Sequence, residues 1–209
     1  MPRVISQLLV VSTAIWTTSF GRQAGPALSL SCETFPPTAS LTQLRTIFPA
    51  ADIGRDSVPL GDTEGAMVPA TVLFAKDPAR RIQIVWKDTA THTQPRYVRV
   101  ARRPTRWRTP DGITVGTSLR DLERLNGRPF RLAGFGFDGS GSVTSWNGGR
   151  LSKLTHDRCQ LRIYADSLTT AGLRSAQFRT VIGEREFSSA TRAMHVLNPR
   201  VSTLLLVYP

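Results

Sequence analysis

Hydrophobic and polar positions alternate most legibly between residues 111 and 149. Gly112-Ile113-Thr114-Val115 reads as a short strand. Thr117 or Ser118 supplies a hydroxyl to cap a helix, and Leu119, Leu122 and Leu125 recur at helical spacing. Asn126-Gly127 ends that helix, because both residues tolerate the left-handed backbone of a C-cap. Phe130 to Phe137 and Ser142 to Trp146 then read as two strands around the hairpin loop Asp138-Gly139-Ser140-Gly141.

The same logic extends along the chain. Ser40 caps a helix whose apolar residues are Leu41, Leu44, Ile47 and Phe48, and Pro49 stops it. Ala51 to Leu60 reads as an extended, turn-rich connection. Ala70 to Ala75 is a strand, and Lys76-Asp77-Pro78-Ala79 is a turn. Arg81 to Lys87 alternates as a half-buried strand, with Ile82, Ile84 and Trp86 on one face. Tyr97 to Ala101, Cys159 to Tyr164, Phe178 to Ile182 and Val201 to Tyr208 are further strands. Ser188-Ser189 caps a short helix that runs to Leu197.

The order helix, loop, hairpin ending in tryptophan occurs twice. Ser40, Leu41, Leu44 and Ile47 match Ser118, Leu119, Leu122 and Leu125 at a constant offset. The expected fold is therefore α+β: an antiparallel sheet with short helices on one face, built of two similar helix-plus-hairpin halves. A single domain spans residues 32–209, with approximate halves 32–94 and 110–209 joined by the arginine-rich stretch 95–109. The length of 209 residues suits one good core.

The chain begins as an export signal would: Arg3, then an apolar run through Leu8-Leu9-Val10-Val11 and Ala14-Ile15-Trp16, then small residues up to Ser31. Residues 1–31 are read as a signal peptide, and a periplasmic or secreted location follows. A retained N-terminal anchor and an apolar first strand are the other readings. No later stretch reaches transmembrane length. In an oxidising compartment the two cysteines, Cys32 and Cys159, suggest one disulfide. The rival is a lipid anchor on Cys32, although Ser29 stands where a lipobox needs leucine.

Charge directs attention to one segment. The net charge is +12, and only Lys76, Lys87 and Lys153 of the 27 basic residues are lysine. Arg96, Arg99, Arg102, Arg103, Arg106 and Arg108 fall within one short stretch that contains no acid. Guanidinium forks grip phosphate or carboxylate, and Tyr97 and Trp107 add stacking faces, so these residues are the candidate anion-binding site. The stretch also reads as an edge strand guarded by charge. Export argues against nucleic acid as the partner and favours an anionic envelope component or another protein.

Catalytic and cofactor signals are weak. Gly134 to Gly139 spells G-x-G-x-x-G, but a dinucleotide site needs it between a strand and a helix. Here it lies in a β-run, and its glycines read as close packing. His92, His156 and His195 lack metal-ligand spacing, and His156-Asp157 reads as a polar loop pair. Arg120 and Arg124 account for Asp121 and Glu123 as surface pairs. No cofactor, metal or catalytic residue is assigned. A non-catalytic envelope binding protein is the first functional reading, and an envelope hydrolase the alternative.

Several motifs resemble those of a group of exported bacterial proteins without assigned activity: Gly112-Ile113, Gly116-Thr117, Asn126-Gly127-x-Pro129-Phe130, Gly134-Phe135-Gly136-x-Asp138, Trp146-x-Gly148-Gly149 and Asn198-Pro199-x-Val201. The repeated layout is also loosely similar to the β-lactamase inhibitor protein and to small outer-membrane assembly lipoproteins. The resemblance implies an exported α+β fold; because it carries no assigned activity, no catalytic residues are carried over from it.

Overall fold

The computed structural model describes residues 27–59, 66–101, 103–154, 158–166 and 168–209. Residues 1–26 of the expected leader, together with Arg102, His156 and Asp157, lie outside them. Its last residues belong to the fold, with Leu28 and Ser29 paired to Trp107 and Arg108 and Leu30 buried in the core, so the folded domain begins before the expected residue 32.

In chain order the elements are β1 (Leu28–Ser29), α1 (Leu41–Ile47), β2 (Ile53–Pro59), β3 (Met67–Leu73), β4 (Ile82–Asp88), β5 (Thr93–Val100) and β6 (Trp107–Arg108). There follow α2 (Leu119–Asn126), β7 (Arg131–Ala133), β8 (Val143–Ser145), a 3-10 turn (Arg150–Leu154) and β9 (Gln160–Tyr164). The chain closes with α3 (Thr170–Leu173), α4 (Ala176–Arg179), β10 (Glu186–Ser188), α5 (Arg192–Leu197) and β11 (Thr203–Val207). The fold is α+β.

A six-stranded antiparallel sheet runs β2-β3-β4-β5-β11-β9, and a smaller one runs β10-β7-β8. Ile84, Val98, Leu206 and Leu161 stand in register across the large sheet. They face a core shared with Leu44 of α1, Leu119 and Leu122 of α2 and Met194 of α5. The opposite face carries a separate apolar cluster of Val58, Ala70, Val85, Tyr97 and Leu205.

Helix starts follow the capping residues. Ser40 and Gln43 form a reciprocal capping box, and Ser118 accepts from the Asp121 amide. Gly127 closes α2 at φ 78°. The helix-then-hairpin order does occur twice, but the hairpins join different sheets: β3 and β4, the hairpin that ends in Trp86, belong to the large sheet, β7 and β8 to the small one.

Four local expectations are corrected. Residues 112–115 are not a strand: the Ile113 and Thr114 amides donate to the Thr109 and Thr117 hydroxyls, which replace a sheet partner. Residues 53–59 are not a loose connection but strand β2, where Pro59 is tolerated because β2 is an edge. Phe178 to Ile182 is not a strand: Ser175 caps α4 by accepting from the Phe178 amide. The last helix is capped by Thr191 rather than Ser188 or Ser189. Ser188 belongs to β10, and the Ser189 hydroxyl accepts from the buried Phe130 amide.

Regular pairing along Phe130 to Phe137 covers only β7, with Phe135 held by one bridge to Ile182. A β-carbon on Gly134 would stand 2.4 Å from the Gly183 carbonyl oxygen and 2.6 Å from that of Val181. No helix opens at these glycines: Gly134 serves close backbone packing, whereas Gly136 and Gly139 hold positive φ, 87° and 78°, and a β-carbon on Gly139 would meet nothing within 4 Å.

Candidate functional site

The arginine-rich segment does not stay together. Its first part is β5, an interior strand between β4 and β11, so the edge-strand reading fails. Trp86 pairs with Pro95 and Val85 with Tyr97, which makes Arg96 the extra, exposed residue of a bulge. Arg99 donates to the Gln83 side-chain oxygen at 2.8 Å on the outer sheet face. Tyr97 is buried there and donates its hydroxyl to the Pro59 carbonyl at 2.6 Å. Burial pushes its phenol pKa up, against the pull of Arg99 and Arg96.

Beyond β5 the chain runs along β1. Trp107 is fully buried and donates its indole N–H to the Arg80 carbonyl at 2.7 Å, so its ring offers no face to a ligand. Arg106 is half-buried. Arg108 is exposed and donates to the Gly112 carbonyl at 3.4 Å.

Arg103 takes a different course. Its guanidinium fills the place of the missing side chain at Gly116, with Cζ and Nε 2.7 Å from where a β-carbon would stand. Gly116 holds φ +100°, a conformation that side chains resist. Arg200, absent from the sequence reading, donates from Nη1 to the Gly116 carbonyl at 3.0 Å. Ser118 and Arg200 are bridged antiparallel, and the Gly116 amide donates to Val201. Two guanidinium groups thus meet at one glycine, and among the described residues neither pairs with a carboxylate. A guanidinium without a carboxylate partner keeps N–H donors that an anion can use.

A cavity of about 640 Å³ lies beside the Cys32–Cys159 disulfide, whose Cα atoms are 6.0 Å apart. Leu30, Leu161 and Leu206 give it an aliphatic wall, and Glu33, Asp111, Lys153 and Arg158 carry the charge. Lys153 and Asp111 pair at 3.1 Å.

No family model matches the chain, and neither a curated protein nor a solved structure shows significant similarity to it.

Two further polar groups are structural. Glu123 accepts from the Ser189 hydroxyl at 2.5 Å and lies 2.9 Å from Nε2 of His195. The carboxylate stands between hydroxyl and imidazole, so the imidazole is not placed to take the Ser189 proton. The expected surface pairing holds for Asp121 with Arg124, at 2.7 Å, but Glu123 ties α2 to α5 instead.

On the outer sheet face Asp56 accepts from Arg81 at 2.7 Å and from Gln83 at 2.6 Å. Burial works to raise the Asp56 pKa. Hydrogen bonds from Arg81, the Ser57 amide and Gln83 outweigh it and hold the carboxyl below its ordinary 3.8. A depressed carboxyl stabilises the fold above the unfolded pKa, and this contribution is lost as pH falls through the folded value. Asp56→Ala is therefore expected to cost about 1–3 kcal/mol at neutral pH by stranding its partners. Urea unfolding at neutral pH and near pH 3 checks this: the gap between variant and wild type should shrink in acid.

Proposed function

We propose that the protein is an exported, non-catalytic binding or interaction protein of the bacterial cell envelope. It recognises phosphate or carboxylate groups at a site centred on Gly116. The observation that carries this reading is the convergence of Arg103 and Arg200 on one glycine with no carboxylate partner among the described residues. Guanidinium groups bind such anions through charge-assisted, bidentate hydrogen bonds. The net charge of +12 adds long-range attraction. The disulfide supports an oxidising compartment. Among the described residues no helix is long and apolar enough to cross a membrane. The partner that fits is a phosphorylated glycan or an anionic lipid headgroup of the envelope.

Retention on a sulfated polysaccharide column and on phosphatidylglycerol vesicles tests the reading. Replacing both Arg103 and Arg200 by Gln should weaken binding at least about tenfold, the worth of one lost charge-assisted hydrogen bond. Arg96→Gln, at the bulge, should change little. Wild-type binding should fade with salt, since charges are screened over about 8 Å at physiological ionic strength. Retention indifferent to salt and to the double substitution would refute the site.

A further inference from the structure

The cavity beside the disulfide has its own chemistry and shares no residue with the Gly116 cluster. Its size falls within the range of about 300–1,000 Å³ typical of small-ligand sites. Leu161 and Leu206 are paired residues of β9 and β11, so this wall is part of the rigid sheet. Leu30 follows β1, which is itself anchored by backbone hydrogen bonds from Leu28 and Leu30 to Arg106 and Arg108.

The charges are of two kinds. Asp111 and Lys153, both in the lining, neutralise each other as an ion pair. Glu33 and Arg158 are exposed and form no ion pair or hydrogen bond with any described residue. Glu33 follows Cys32 and Arg158 precedes Cys159, so the disulfide itself brings one uncommitted acid and one uncommitted base to the same cavity.

We propose that this cavity binds a short peptide of apolar residues with free ends. The ammonium end pairs with Glu33, the carboxylate end with Arg158, and the aliphatic side chains cover Leu30, Leu161 and Leu206. A fatty acid would satisfy Arg158 alone and set its carboxylate against Glu33. A diamine would make the converse error. Only a ligand with one charge of each sign and an apolar body between them meets all three features.

The probe is leucyl-leucine, titrated into the isotopically labelled full chain and followed by amide NMR. Saturable shifts are expected at Ser31, Glu33 and Asp111, while the buried indole of Trp107 stays unmoved and reports an intact fold. Glu33→Gln and Arg158→Gln, both at exposed positions, should each weaken binding by about fivefold, the upper value for a solvent-facing pair. N-acetylation of the peptide should abolish the effect of Glu33→Gln but keep that of Arg158→Gln, and amidation of its carboxyl should do the reverse. Absence of saturable shifts, indifference to both substitutions, or tighter binding of octanoate than of leucyl-leucine would overturn the proposal.

Discussion

Loss of the Cys32–Cys159 bridge is expected to lower stability by about 4–5 kcal/mol. The loop-closure model gives that figure for a crosslink spanning 127 residues, because the oxidised unfolded chain has far less freedom to lose. Local packing adds to the consequence. Cys159 is buried and belongs to the main core, against which Cys32 packs. The bridge fixes the segment leading to Phe35, whose carbonyl accepts from the buried Tyr208 hydroxyl at 2.6 Å. Burial pushes that phenol pKa up, so Tyr208 stays protonated and keeps donating across the ordinary working range. Urea unfolding of the oxidised protein and of a Cys32→Ala/Cys159→Ala variant measures the difference. A free thiol on Cys159 in the protein isolated without reductant, or a diacylglycerol mass on Cys32, would contradict the bridge.

Trp107→Ala is expected to cost about 3–5 kcal/mol as a large-to-small core truncation. The ring lies 5.6 Å from Phe35 and 5.8 Å from Phe48, centroid to centroid, and none of it is exposed. Truncation also leaves the Arg80 carbonyl without its indole donor. The loss should appear in unfolding curves, while anion affinity of the folded variant should hold well below its melting temperature. A variant of normal stability with weakened anion binding would restore the ring as a stacking face.

The contrast between Trp107 and Arg103 explains what the sequence reveals. Capping hydroxyls, helical leucine spacing and the closing run Leu204-Leu205-Leu206-Val207 act locally, so α1, α2 and β11 are legible from neighbouring residues. Strand β2 is not, because an edge strand of mixed polarity looks like a loop until its partner β3 is known. Phe178 looks like a strand residue, yet the Ser175 cap decides the local structure. The candidate site divides in the same way. Clustered arginines mark the segment, but a bulge, an interior strand and a buried indole scatter them. Arg200 reaches Gly116 across 84 positions in sequence, a contact for which no local pattern exists.

Titration of inorganic phosphate into the labelled protein tests the central claim most directly. Saturable shifts should appear at the Gly116 amide and the Arg103 and Arg200 side chains, and should vanish in the Arg103→Gln/Arg200→Gln variant. Shifts that grow without saturation, or that saturate at Arg96 or Arg108 and leave Gly116 unmoved, would contradict it.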